Sequence, residues 1–198
     1  MSHYFHTPAD AGKRRIVKAR IWDVDHEFVT APGVFSADGL DLGTGVLLRE
    51  NWPPDTANRL LDLGCGWGPI AVALATECTD AIVDAVDTNE LALELTAANA
   101  QRAGVADRVR TLLPEDADPG ARYDEIWSNP PIRIGKDALH ELLLTWLPRL
   151  APNGVARLVV GRNLGADSLQ RWLVGQGYRC ARIGSAKGFR VFEVTRAS

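Results

Sequence analysis

Cysteine is scarce in this 198-residue chain: Cys65, Cys78 and Cys180 are odd in number and widely spaced. They offer neither a disulfide framework nor a zinc-ligand set, so a reducing, cytoplasmic setting without a metal is expected. No apolar run is long enough to span a bilayer, and the first residues lack the apolar core of a signal peptide, so no membrane partner is expected. An excess of positive charge is also missing. Lys and Arg number 22 against 25 Asp and Glu, a net charge of −3. No global basic field advertises a nucleic acid, and any RNA contact has to be a local patch. Internal repeats and low-complexity blocks are absent. What remains is an ordinary globular composition, 46% hydrophobic and 24% charged, long enough for one α/β domain with a good core.

The most informative stretch is Leu60-Leu61-Asp62-Leu63-Gly64-Cys65-Gly66-Trp67-Gly68-Pro69-Ile70. An apolar run, read as a buried parallel strand, ends in a turn with glycine at every second position, and a helical pattern follows. Glycines there let the backbone take unusual angles and let a ligand lie against it, while the helix start offers free N–H groups and a partial positive charge. Dinucleotide folds place the third glycine one position later, so pyrophosphate is not the expected ligand. Asp62 puts a carboxylate at the strand end, which suits a cation. Asp87 ends the next apolar run, Ile82 to Val86, where a carboxylate accepts ribose hydroxyls. A nucleoside with a positively charged tail fits, and S-adenosylmethionine is the common example.

Along the chain, residues 1–13 carry His3 and His6 and read as an arm. Lys13 to Arg20 holds five positive charges partly alternating with apolar residues. It is either the solvated face of an edge strand or a phosphate-tracking patch. Ile16 to Trp22 and Glu27 to Thr30 read as strands about an Asp23-Val24-Asp25 turn, 31–45 as a long irregular loop, and Val46 to Asn51 as a short helix. Later strands are expected at 82–86, 109–113, 123–128 and 155–160. Helices are expected at 70–78, from the Asn89 cap to Gly104, at 136–150, where His140 is read as structural, and at 166–174. A terminal antiparallel hairpin, 179–183 with 189–195, closes the chain. The alternation predicts an α/β fold, a doubly wound, mostly parallel seven-stranded sheet with an N-terminal β-rich extension. One domain is expected over 1–198, with 1–52 covering the site and 53–198 as the cofactor-binding and catalytic core.

On Asp62 to Gly68, Asp87 and Asn129-Pro130-Pro131-Ile132, the chain resembles the class I S-adenosylmethionine-dependent methyltransferases. More closely, it resembles their Rossmann-like methyltransferase small domain family, which includes guanine exocyclic-amine methyltransferases of small-subunit ribosomal RNA. Ser2-His3-Tyr4-Phe5, Gly33-Val34-Phe35-Ser36, Asp41-x-Gly43-Thr44 and Arg133-x-Gly135-Lys136 look like further signatures. The resemblance implies an enzyme that takes S-adenosylmethionine and methylates an RNA base amine, with ribosomal RNA or a ribosomal particle as partner. By resemblance Asp62, Gly64 and Gly66, with Cys65 and Gly68 in the same loop, hold the methionine part. Asp87, followed by Thr88 and Asn89, holds the ribose. Asp116, with Glu115 and Ala117 beside it, meets the adenine amine, and Thr44 helps close the pocket. The family's larger members carry a second, degenerate domain ahead of this one.

The chemistry suits those residues. A base amine is a weak nucleophile, because its lone pair is delocalised into the ring, and it must be held in line with the methyl at roughly 3 Å. The Asn129 amide oxygen and the Pro130 carbonyl accept its two hydrogens, which stabilises the charge developing on nitrogen. Pro130 and Pro131 have no N–H, so only acceptors face the substrate, and no strong base is needed. Phe35 is a candidate for stacking on a flipped base, and Arg133 and Lys136 for contacting phosphates. Ile132 replaces the aromatic usual in DNA amino-methyltransferases. A protein glutamine amide or a small-molecule amine is the alternative acceptor, and a non-catalytic cofactor-binding factor the alternative role.

Overall fold

The structure, a computed structural model, describes residues 13–131 and 134–197. The His3 and His6 arm, the Ser2 to Phe5 signature, Ile132 and Arg133 lie outside the described residues.

Alternating apolar and charged residues build a separate two-stranded sheet from β1 (Arg15–Ile21) and β2 (Val24–Thr30). Its turn is Trp22-Asp23, both at positive φ, 46° and 67°. This mirror-type turn suits the twist of a tight hairpin. It falls earlier than the sequence suggests because tertiary contacts hold Trp22 there. Its indole N–H donates to Leu48 O and Asn51 O at 2.8 and 2.7 Å, and its ring meets Trp127 edge-on at 5.7 Å.

The first helix, α1 (Leu42–Glu50), starts four residues before the expected Val46. Gly43 and Gly45 argue against helix by propensity, but Asp41 caps it, its carboxylate accepting the Thr44 N–H at 3.0 Å. A side chain at Gly43 would meet Phe189 at 2.8 Å, so glycine there is the condition for close packing.

The large sheet contains β3 (Arg59–Leu63), β4 (Ile82–Val86), β5 (Val109–Leu112), β6 (Tyr123–Ser128), β7 (Leu150–Gly161), β8 (Tyr178–Ala186) and β9 (Phe189–Arg196). Their order is β5-β4-β3-β6-β7-β9-β8, with β9 antiparallel to both its neighbours and the other pairs parallel. The helices are α2 (Pro69–Glu77), α3 (Glu90–Arg102), α4 (Lys136–Trp146) and α5 (Ala166–Gly175). The first three helices and the hairpin cover one face of the sheet, around Leu74, Val83 and Leu95; α4 and α5 cover the other, around Leu143, Trp146 and Leu173. α4 stops short of the expected Leu150 because Pro148 cannot continue an α-helix, and a 3-10 turn follows at Leu147–Arg149. The strand order reverses between β3 and β6. Ligands in doubly wound sheets bind in the crevice outside the strand ends at such a point.

Candidate active site

At that switch point the chain leaves β3 through Gly64, Gly66 and Gly68, all at positive φ (79°, 57° and 87°). The three glycines divide by role. A Cβ at Gly64 or Gly66 would meet no heavy atom within 4 Å, so those positions face open space. A Cβ at Gly68 would meet Thr96 at 2.8 Å, so the lack of a side chain at Gly68 lets the loop close on α3. The loop is pinned from several sides. Gly64 N and Cys65 N donate to Val86 O at 2.8 and 3.0 Å, and Gly66 N donates to the Asp87 carboxylate at 2.9 Å. Trp67 lies edge-on to Phe28 at 5.0 Å, and its indole N–H reaches Ser36 O at 3.2 Å.

The other acidic positions fall into place around it. Asp62 is fully buried beneath the loop. One of its oxygens accepts the Ala71 N–H in the first turn of α2 at 2.9 Å; the other is buried without a partner. Burial, with the Asp87 charge as a smaller contribution, pushes its carboxyl from 3.8 up to about 8, against the lowering effect of the Ala71 hydrogen bond. Burial, then the Asp62 charge, likewise pushes the Cys65 thiol well up, so Cys65 is no nucleophile here. Asp87 also accepts the Asn89 N–H at 2.9 Å; each of its oxygens keeps a lone pair for a hydroxyl. Asn89 caps α3 and reaches across to Gly33 O at 2.9 Å. Thr88 is exposed. Glu115 and Asp116 are exposed in the 3-10 turn after β5, two strands along the same edge. Ala117, next in the chain, is 5% exposed, and its side chain belongs to the core cluster that also holds Leu139 and Leu143 of α4. Its small apolar side chain fills space beneath the turn.

On the other side of the reversal, Asn129 closes the cleft. The cleft is lined by Phe35, Ser36, Asp41, Thr44, the Gly64–Trp67 loop, Pro69, Ile70 and Asn129. The end of β6 is tied to β3 by the Ser128 hydroxyl, which donates to Leu63 O at 2.7 Å. The Asn129 amide nitrogen donates to Asp41 at 2.8 Å and to the Thr44 hydroxyl at 3.0 Å. Both amide hydrogens are thereby used, and Oδ1 accepts no hydrogen bond from a described residue. Pro130 is buried and Pro131 exposed. Phe35, which lines the cleft, is 63% exposed. Lys136 is exposed at the first position of α4. His140 stacks on Trp172 at 3.7 Å, a structural contact between α4 and α5. Sequence reasoning assigned Asp41 no role. Its signal was the capping pattern Asp41-x-x-Thr44, hidden by the flanking glycines.

The residues fit a nucleoside with a cationic tail: an open glycine cradle, a buried carboxylate oxygen lacking a partner, and a second carboxylate at the next strand tip. A seven-stranded sheet of this order, with that cradle at its reversal, defines the class I S-adenosylmethionine-dependent methyltransferase fold. The T. thermophilus 16S rRNA methyltransferase RsmC, solved in complex with AdoMet and guanosine, shares the fold with a TM-score of 0.75 at 23% identity, over 92% of this chain and 50% of that one. A ribosomal protein L11 methylase from Lactobacillus delbrueckii gives 0.67 at 18% identity, over 84% of this chain and 83% of that one.

The chain belongs to the methyltransferase small domain family, whose model matches residues 25–193. In sequence it is 35% identical over 172 residues to ribosomal RNA small subunit methyltransferase C of Citrobacter koseri, covering 85% of this chain and 50% of that protein. It is 30% identical over 168 residues to the uncharacterized protein YbxB of Bacillus subtilis, covering 84% of each. The chain thus spans about half the length of the ribosomal RNA methyltransferases it matches.

Proposed function

We propose that this protein transfers a methyl group from S-adenosylmethionine to an exocyclic base amine, that of a guanine, in RNA, with ribosomal RNA or a ribosomal particle as its partner. The observation that carries the proposal is the Asn129 amide. Its nitrogen is committed to Asp41 and Thr44, and its oxygen is left as an acceptor on the rim of the glycine cradle. S-adenosylmethionine, when bound, supplies a methyl on a sulfonium, an electrophile with a neutral leaving group. Asp62, Gly64 and Gly66 would hold its methionine end, Asp87 its ribose, and Asp116 with Glu115 its adenine. The chain's own part in the chemistry is orientation. Asn129 Oδ1 and the Pro130 carbonyl accept the amine's hydrogens, turn its lone pair toward the cradle and stabilise the positive charge that develops on nitrogen. The prolines add no competing donor.

An RNA acceptor is supported by the names of the relatives and by cations on the strand-exit side of the sheet. Lys136, Arg162 and Lys187 are exposed on the strand-exit side and form no ion pair with a described residue. Phe35 offers an exposed ring for a base.

The test is transfer of tritium from labelled S-adenosylmethionine to three pools: total RNA, total protein and a metabolite extract. Label is expected in RNA, with Asn129→Ala lowering turnover by about 10²-fold or more while donor affinity stays within a few-fold. Label confined to protein would move the acceptor to a glutamine amide. A fully active Asn129→Ala would remove the proposed chemistry.

A further inference from the structure

We infer that Asp41 is a positioning residue: it fixes which end of the Asn129 amide faces the acceptor. The inference rests on the role proposed for Asn129 and extends it. An amide side chain is nearly symmetric in shape but opposite in function at its two ends, and a half-turn about its last torsion exchanges an acceptor for a donor. A donor facing a base NH₂ would repel it and destabilise the charge developing on nitrogen. Something must therefore choose the orientation, and a carboxylate can do so because it only accepts. Asp41 Oδ2 receives one Nδ2 hydrogen at 2.8 Å, and the Thr44 hydroxyl oxygen receives the other at 3.0 Å. Flipping the amide would set its oxygen against the Asp41 carboxylate.

Asp41 is itself well held. The same oxygen accepts the Thr44 N–H at 3.0 Å as the N-cap of α1, where a negative charge is favoured by the helix dipole. The helix is anchored by Val46, Leu47 and Leu48, all at most 3% exposed, and its first turn is pressed against Phe189 at Gly43. The carboxylate is thus fixed by the N-terminal half of the sequence, and the group it orients stands 88 residues later. Asp41 touches no reacting atom in this scheme; its effect passes through Asn129.

The helix-capping and orienting roles can be separated. Serine is an equally good N-cap but too short to reach Asn129. In Asp41→Ser, the melting temperature and donor affinity are expected to stay near wild type, while turnover on the RNA pool falls roughly 10- to 100-fold. Asp41→Asn, which keeps an acceptor at the right distance, should recover part of that loss. In ¹⁵N spectra of the free protein, the Asn129 side-chain amide protons should exchange slowly in wild type and faster in Asp41→Ser. The double variant Asp41→Ser/Asn129→Ala should be no slower than Asn129→Ala alone, because one acts through the other. Additive losses, or full turnover in Asp41→Ser, would overturn the inference while leaving the role of Asn129 standing. An active Asn129→Ala removes both.

Discussion

Burial holds the Asp62 carboxyl near 8, with Asp87 at the neighbouring strand tip adding to the rise and the Ala71 N–H opposing it. The group is therefore protonated in the folded chain over a pH range in which the unfolded chain, titrating near 3.8, has already lost its proton. The folded state binds the extra proton, so this contribution to stability is fully present below 3.8 and is lost as pH rises toward 8. Asparagine mimics the protonated form. The stability of wild type relative to Asp62→Asn should fall between pH 5 and 8, by at most about 1.4 kcal/mol per unit, and level off above 8. Thermal melts of the two proteins across that range measure it. A cationic donor reaching the partnerless oxygen would favour the charged form, so saturating S-adenosylmethionine should flatten the wild-type slope. A slope unchanged by the donor would mean that Asp62 braces α2 and the loop without touching the ligand's charge.

Elements that announce themselves locally were legible in the sequence. The β3 run followed by spaced glycines, the Asn89 cap of α3 and the Asn-Pro-Pro exit from β6 all declare their form through near neighbours. What was not legible depends on distant partners. The hairpin turn at Trp22 is set by carbonyls at the end of α1, of Leu48 and Asn51, and the α1 start by an aspartate with a glycine two residues to either side. Gly68 looks like its two companions in sequence and differs only because Thr96 stands over it. Asn99 of α3 belongs with these. It is 1% exposed; its carbonyl accepts Val29 N–H at 2.6 Å, and its amide donates to Val29 O and Trp67 O at 2.9 and 2.8 Å. One side chain thus joins the hairpin, α3 and the glycine loop. Asn99→Ala leaves three backbone groups without partners, at a cost of about 3 kcal/mol, and should lower the melting temperature by roughly 6–12 °C. Donor affinity should weaken as well, since the Trp67 end of the loop is released. A variant that melts normally would show that these backbone groups find other partners.

Over the whole molecule, charge is distributed in a way its net value of −3 conceals. The basic run at the start of the hairpin is largely spent internally. Arg14 pairs with Glu94, Arg15 with Asp38, Lys18 with Glu27 at 2.8 Å, and Arg20 with Asp25 at 3.3 Å. Each of these cations has an acidic partner, so the net charge of this strand face is smaller than its sequence suggests. The cations on the strand-exit side stand differently. Arg162 follows β7, and its N–H donates to Gly188 O at 2.8 Å, which brings the β8–β9 turn, with Lys187, beside it. Phe189, next in that hairpin, packs on Gly43 in the helix that positions Asn129. These cations therefore stand on the same strand-exit side of the sheet as the cleft, the side on which the proposed RNA would lie. Counterion release makes such cations matter at moderate salt: removing one that neutralises a phosphate lowers the slope of log affinity against log salt by about one. Arg162→Glu/Lys187→Glu should raise KM for RNA roughly tenfold and reduce that slope by about two, while donor affinity stays unchanged. Lys18→Gln/Arg20→Gln should change KM less than about twofold, because an acidic partner stands beside each of those charges. Equal effects from the two pairs, measured by the salt dependence of KM on one RNA pool, would place the RNA across the hairpin instead.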